Sequence, residues 1–117
     1  MSSKKPVQRL QDIVTNAEAI FRYTGQMNFD TFSQDRKTVD AVERCLERIS
    51  EAAAKLGDLA PLLMPDQPWQ QIRAFGNRLR HEYDEITGER VWHVVATLLP
   101  SLAEACRKAL ASQPHAT

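Results

Sequence analysis

Six apolar residues in the second quarter of this 117-residue chain follow one another at spacings of 3, 4, 3, 4 and 3. They are Val39, Val42, Leu46, Ile49, Ala53 and Leu56. Such spacing places all six side chains on one stripe of an α-helix, as in helices that pack against other helices. It therefore predicts a long amphipathic helix over residues 35–56, closed by Gly57.

Three other intervals share this helical periodicity. The first covers residues 8–23, with Leu10, Ile13, Val14, Ala17, Ile20 and Phe21 on one face and Gly25 after it. The next begins near Pro68 and ends near Tyr83, with Trp69, Ile72, Phe75 and Leu79 facing inward. The last runs from Thr87 or Gly88 to Ala111. Apolar residues nowhere alternate over five or more positions, so the sequence predicts an all-α fold, an up-and-down four-helix bundle that a short extra helix could extend.

The last of these helices has an unusually wide apolar arc made of two stripes. One stripe is Val91, Val95, Leu98, Leu102, Ala105 and Ala109, and the other is Trp92, Ala96, Leu99, Ala103, Cys106 and Leu110. A wide arc favours burial on two sides, so we expect one stripe to face the core and the other a second subunit. Pro100 should kink this helix, because it lacks the backbone N–H.

The connecting segments and the ends are less regular. Residues 28–33 contain two aromatics, Phe29 and Phe32, that are suited to cover one end of a bundle. Residues 58–67 are partly apolar and should pack on it. We expect one domain over residues 8–111, with flexible ends at residues 1–7 and 112–117.

Composition limits the class of protein. The 15 basic residues balance the 15 acidic ones. Any binding of RNA must therefore come from a local basic patch or from a surface that two subunits form together. Cys45 and Cys106 lie in apolar stripes and are expected to be buried, reduced thiols. No metal-binding spacing, signal peptide or apolar run of the ~18 residues that a membrane helix needs is visible. The prediction is a cytoplasmic protein without metal or cofactor.

Reactive side chains are densest in residues 76–84. On a helix, Asn77 and Arg78 lie four and three residues before His81, so the three share a face. A guanidinium holds phosphate well, an imidazole moves protons near neutral pH, and an amide can orient either. The set suits metal-free cleavage of RNA by its own 2′-hydroxyl. The alternative is a solvated helix end with local ion pairs.

The segment from residue 69 to 100 resembles the HepT-like branch of the HEPN superfamily. The matching pieces are Trp69-Gln70-Gln71-Ile72-Arg73, Asn77-Arg78-Leu79-Arg80-His81-Glu82-Tyr83-Asp84, Val91-Trp92 and Leu99-Pro100, preceded by Asp40-Ala41-Val42 and Ile49-Ser50-Glu51-Ala52-Ala53. The resemblance implies a dimeric helical bundle whose two motif copies line one cleft. It also implies a metal-independent endoribonuclease toxin, with His81 as the catalytic histidine. The implied partner is a small nucleotidyltransferase antitoxin that attaches AMP to Tyr83.

One position departs from the family pattern. The motif places an arginine five residues before the histidine, where this chain has Gly76. We expect Arg78 or Arg73 to substitute for it, and Gly76→Arg to raise activity. The departure leaves two other classes open, a cleavage-deficient HEPN domain that binds a nucleotidyltransferase or RNA, and a structural dimerisation module.

Four further residues have mainly structural interpretations. We expect His93 to be solvated on the polar face of the last helix, and His115 to lie in the loose tail without a role. Glu51 is expected to pair with Arg78 or Arg80 and orient it. Tyr83 can also serve as an aromatic packed at the end of the third helix.

Overall fold

A computed structural model describes residues 5–112 of the chain, except for the side chain of Tyr83. The order of elements is α1 (Pro6–Thr24), α2 (Phe29–Gln34), α3 (Arg36–Leu56), α4 (Leu59–Leu63) and α5 (Trp69–His81), followed by a 3-10 turn (Tyr83–Glu85). Then α6 (Gly88–His93), a π-helical segment (Val94–Leu98) and α7 (Leu99–Ala111) follow one another without a break. Every regular element within this range is helical, which confirms the predicted all-α class.

The four long helical stretches pack in a simple order. α1 lies between α3 and α7, and α3 lies between α1 and α5. The predicted apolar faces are the buried ones, since Leu10, Ile13 and Ile20 of α1 and Val42 and Leu56 of α3 are fully buried. α1 begins at Pro6, where the missing N–H of proline costs nothing, so residues 6 and 7 belong to the helix rather than to a loose end. Residues 1–4 and 113–117, with His115, lie outside the described residues.

The connector with two aromatics contains a short helix, α2. Asn28 starts it with a capping box, because its Oδ1 accepts from the Thr31 N–H at 2.9 Å while its own N–H donates to Thr31 Oγ1 at 3.0 Å. Phe32 is fully buried, and its ring centroid lies 5.0 Å from that of Trp92. An aromatic of the connector therefore packs into the core, and its closing of one end of the bundle remains a prediction.

The connector between α3 and α5 packs only in part. Ala60 and Met64 are buried, and the Trp69 indole N–H donates to the Met64 carbonyl at 2.8 Å. Leu62, in contrast, is 76% exposed, and Leu63 is exposed as well. Because α4 is a single short helix, it can turn only one side to the bundle, and these two leucines lie on the other side.

The last helix buries part of each apolar stripe within one chain, although Ala96 is exposed and Trp92 and Leu110 are half-buried. Leu99, Ala103 and Cys106 of the second stripe are fully buried, and so is Val91 of the first. The stripe that we expected to meet a second subunit therefore packs largely on the chain's own helices. α1 provides much of that cover, since it packs against α7. A dimer remains a prediction, but this stripe no longer supports it.

Pro100 changes the hydrogen bonding of the last helix just ahead of itself. The N–H of Leu99 donates to the carbonyl of Val94, five residues back, and residues 94–98 are π-helical. Proline cannot donate to the carbonyl four residues before it, and a π-helical turn rearranges the donors around that gap.

The two cysteines are buried and free, as predicted. Burial raises the pKa of the Cys106 thiol to about 12, and burial is also the largest cause that raises the pKa of Cys45. The Cys106 Sγ lies 3.7 Å from the sulfur of Met64. Both thiols are thus packing groups rather than reactive ones.

Candidate active site

The predicted cluster lies at the C-terminal end of α5. Trp69, Ile72 and Leu79 anchor this helix in the core, and its last turn carries the basic residues Arg78, Arg80 and His81. Basic side chains are favoured there because the helix dipole is negative at this end. The buried face thus fixes which residues of the last turn point outward.

The three residues selected from the sequence are all exposed. Asn77, Arg78 and His81 lie on the outer side of α5, where a ligand can reach them. This exposure confirms the expectation that Arg78 and His81 are accessible rather than sealed in the core. The cleft between two copies, which the resemblance implies, remains a prediction.

Arg78 and Arg73 differ in their freedom to bind a ligand. The Nε of Arg78 lies 3.9 Å from a carboxylate oxygen of Glu82, and both side chains are about half exposed, which makes this a weak surface pair. Arg73 is partly buried, and its Nη2 donates to the carbonyl of Gly57 at 3.3 Å. Arg73 therefore holds the end of α3, and the structure does not support it as a substitute phosphate ligand.

Arg80 makes the most specific contacts in the cluster. Its Nη2 donates to Asn77 Oδ1 at 2.7 Å, and its Nη1 donates to Ser50 Oγ on α3 at 3.1 Å. Asn77 thus orients Arg80 rather than Arg78 or His81. Ser50 is buried, and its hydroxyl donates in turn to the Glu47 carbonyl at 2.9 Å.

Glu51 does not orient either arginine. Its carboxylate lies 3.5 Å from the ammonium group of Lys55, one turn further along α3. The expectation that it pairs with Arg78 or Arg80 is wrong, because Ser50 is the α3 residue that Arg80 reaches. A serine beside the apolar stripe of α3 gave no functional signal in the sequence, since its role depends on where α5 crosses.

Gly76 lies at that crossing and is buried. A Cβ atom at this position would overlap Cβ and Oγ of Ser50. Helix α5 therefore approaches α3 more closely than any side chain at position 76 would permit. The structure contradicts the expectation that Gly76→Arg restores a working site, because the arginine would have to push the two helices apart.

Tyr83 follows His81 by two residues and begins the 3-10 turn Tyr83–Glu85. Its side chain lies outside the described part of the structure. Its modification by a partner enzyme, and its packing at the helix end, therefore remain predictions. Asp84 and Glu85, the other residues of the turn, are exposed.

The remaining histidine of the described range is solvated, as expected. His93 is exposed, and its backbone carbonyl accepts from the Thr97 hydroxyl at 2.7 Å. Within residues 5–112 no group of three or more His, Cys, Asp or Glu side chains is arranged to hold a metal ion. In the same range, no helix is both long enough and apolar enough to cross a membrane.

Comparison with known proteins gives the chain a family. The family model for ribonuclease HepT-like proteins matches residues 13–109. A provisionally named RNase of Methanocaldococcus jannaschii is 36% identical over 99 residues, covering 84% of this chain and 82% of that protein. A provisionally named ribonuclease HepT of Thermococcus cleftensis is 33% identical over 93 residues, covering 80% and 84%. No solved structure gives a significant match. The matched range includes all of α3 and α5 and the cluster at the end of α5, and the chain therefore belongs to the HepT-like ribonuclease family.

Proposed function

We propose that the chain is a metal-independent endoribonuclease, the toxin of a toxin–antitoxin pair. The observation that carries the proposal is the exposed group Asn77, Arg78 and His81 at the end of α5, in a chain of the HepT-like ribonuclease family. An accessible imidazole beside guanidinium groups has the parts that cleavage by a ribose 2′-hydroxyl requires.

The reaction needs only the RNA and the protein. The 2′-oxygen attacks the adjacent phosphorus and its proton passes to the His81 imidazole. The bond from phosphorus to the 5′-oxygen then breaks, and that oxygen takes up the proton from the His81 imidazolium, which returns to its neutral form. The products are a 2′,3′-cyclic phosphate and a 5′-hydroxyl. Arg78 stabilises the negative charge on the phosphorane, and Asn77 keeps the neighbouring side chains in place. These three residues form the proposed catalytic site.

The balanced charge of the chain favours a site assembled from two copies. A single chain has 15 basic and 15 acidic residues and offers no general attraction for RNA. Two copies that juxtapose their α5 ends would place both Arg78 and both His81 side chains around one phosphate. We expect sedimentation at micromolar concentration to give twice the 13.3 kDa chain mass. A monomer that persists over a wide concentration range would contradict the two-copy site.

A nucleotidyltransferase antitoxin is the proposed partner, with Tyr83 as its target. AMP on Tyr83 would add a negative phosphate and a base two residues from His81. The added phosphate would repel RNA and compete with the RNA phosphate for Arg78. The chain has two tyrosines, and Tyr23 on α1 is exposed and serves as an internal control. After co-expression with the cognate enzyme, mass spectrometry should find AMP on Tyr83, none on Tyr23 and none in Tyr83→Phe. An unmodified Tyr83 would remove this mechanism.

The direct test of the proposed function is cleavage of RNA by the purified chain in excess EDTA. The expected rate is the same with and without the chelator, because no step uses a metal ion. An RNA substrate and two buried reduced thiols both favour the cytoplasm as the place of action.

A second function is favoured by one observation, the buried glycine where the family motif has arginine. In that case the chain is a cleavage-deficient HEPN domain that binds a nucleotidyltransferase or RNA. Such a domain would bind RNA without cutting it, or would co-purify with the nucleotidyltransferase. A structural dimerisation module would do none of these, so assays of RNA cleavage, RNA binding and co-purification with the enzyme separate the three functions.

A further inference from the structure

We infer that Arg80 is the principal phosphate-binding residue of the site, and that its guanidinium, which lies beside Gly76, takes the role of the arginine that this position lacks. The inference rests on the proposed ribonuclease function. It assigns the main charge stabilisation of the RNA phosphate to Arg80, and it reduces Arg78 to an auxiliary contact.

Helix geometry places Arg80, and not Arg78, above Gly76. Each residue of an α-helix advances by roughly 100°, so position 80 lies one turn further along on nearly the same side as position 76. Position 78 lies roughly 200° around the helix, close to the opposite side. Side chains on a helix lean toward its N-terminus, which brings the Arg80 guanidinium back over residue 76. Its Nη1 lies 3.6 Å from the point where a Cβ on Gly76 would stand.

The contacts of Arg80 fix its guanidinium without neutralising it. Both partners, Ser50 Oγ and Asn77 Oδ1, are uncharged oxygens, and these bonds use two of the five N–H donors. Among the described residues, no Asp or Glu lies within ion-pair distance of Arg80. Arg44 and Arg107, in contrast, lie 3.0 and 3.4 Å from carboxylates. The positive charge of Arg80 therefore remains available to an incoming phosphate, with donors left for a bidentate contact.

The same contacts hold this charge next to the proton-transfer residue. Asn77 lies three residues before Arg80 and four before His81, so it is the helical neighbour of both. The Ser50 hydroxyl gives its own proton to the Glu47 carbonyl, which leaves its oxygen free to accept from Arg80. A guanidinium held from both sides needs little reorganisation when charge develops on a phosphate beside His81.

Two assays with single-stranded RNA test this assignment, one for binding and one for cleavage. Binding is measured by fluorescence anisotropy over a range of KCl concentrations, with a 2′-O-methyl oligonucleotide that cannot be cut. Cleavage uses the unmodified oligonucleotide. The variants are Arg80→Ala, Arg80→Lys, Arg78→Ala and Ser50→Ala, each checked for an intact thermal transition. Ser50→Ala is the matched control, because it removes the same anchoring hydrogen bond but keeps the guanidinium.

Arg80→Ala should slow cleavage on the order of a hundredfold. It should also lower the slope of log K against log salt by about 0.7 for each phosphate that the variant no longer neutralises. Arg80→Lys should keep the slope but cleave far more slowly than the native protein, since an ammonium group cannot make the bidentate contact. Ser50→Ala should slow cleavage no more than severalfold, and Arg78→Ala should slow it less than Arg80→Ala does.

Three results would overturn the assignment. If Arg80→Ala keeps the native salt slope of binding and the native cleavage rate, the assignment of Arg80 is wrong. The proposed His81-dependent ribonuclease would be unaffected by that result. Equally slow cleavage by Arg80→Ala and Ser50→Ala would show that Arg80 merely anchors α5. If the native protein binds no RNA at all, the proposed function fails together with this inference.

Discussion

Gly76→Arg should destabilise the fold and abolish activity rather than improve it. The added Cβ would overlap Cβ and Oγ of Ser50 at the point where α5 and α3 approach each other closely, so one helix has to move. Overpacking of this kind typically costs about 1–3 kcal/mol and occasionally more. The charged guanidinium would also start from a buried position, where the loss of its hydration is unfavourable. We expect a decrease of about 3 kcal/mol or more in the free energy of unfolding, measured by urea titration.

Gly76→Ala tests the steric contact with Ser50 without adding the positive charge of an arginine. Alanine is favoured over glycine in a helix interior by about 1 kcal/mol, so a stabilised variant would be expected if the position were open. We expect destabilisation instead, and we expect Ser50→Gly to relieve it in the double variant, because the substitution removes both atoms that the new Cβ meets. A favourable coupling of at least about 1 kcal/mol in this double-mutant cycle supports the contact. Gly76→Arg with native stability and raised cleavage would show that position 76 faces the site after all.

His81→Ala should reduce RNA cleavage by roughly a hundredfold to ten-thousandfold, the usual range for removal of a proton-transfer group. The reduction should arise in the chemical step, since an exposed side chain at a helix end contributes little to packing. His81 is exposed, so the free energy of unfolding should change by less than about 0.5 kcal/mol. Single-turnover cleavage at saturating protein measures the chemical step apart from binding.

His93→Ala provides the matched control for this variant. His93 is also an exposed histidine, but it belongs to α6 and not to the α5 cluster. The variant should cleave RNA at the native rate. Equal reductions in both variants would point to a general effect of the substitutions, and undiminished cleavage by His81→Ala would place the catalytic site elsewhere.

The fold could be predicted from the sequence where a helix has one apolar stripe and a residue that ends it. The seam from Val39 to Leu56 predicted α3 to within one residue, because Gly57 ends it with a positive φ of 56° that glycine readily adopts. The inward residues of α5 were likewise correct. Local periodicity and local caps determine these features, so no knowledge of the neighbouring helices was needed.

Features that depend on the neighbouring helices could not be predicted in the same way. The double stripe of the last helix indicated a second subunit, yet Leu99, Ala103 and Cys106 are buried by the chain itself. An apolar stripe indicates that one face of a helix is buried, but it does not show which element buries that face. The helix α2 was missed because it is only six residues long, too short for periodicity, and depends on the capping box of Asn28.

The candidate site also has features that a single helix determines and features that depend on a neighbouring helix. Its position at the end of α5 and the exposure of Asn77, Arg78 and His81 were predictable, because they depend on which side of one helix is apolar. The hydrogen bond from Arg80 to Ser50 joins residues 30 positions apart, and Gly76 approaches Ser50 from the same distant helix. The close approach of Gly76 to Ser50 was not predicted, because the sequence analysis identified this glycine only as the position of a missing arginine.

The central claim, metal-independent cleavage by the α5 cluster, is tested most directly by the ends of the RNA fragments. Purified native protein is incubated in excess EDTA with an end-labelled single-stranded RNA, and the new termini are identified by mass spectrometry. Attack by the 2′-hydroxyl predicts a 2′,3′-cyclic phosphate and a 5′-hydroxyl, formed by the native protein and by His93→Ala but not by His81→Ala. Fragments ending in a 3′-hydroxyl and a 5′-phosphate, cleavage that stops in EDTA, or intact RNA after prolonged incubation with the folded protein would contradict the claim.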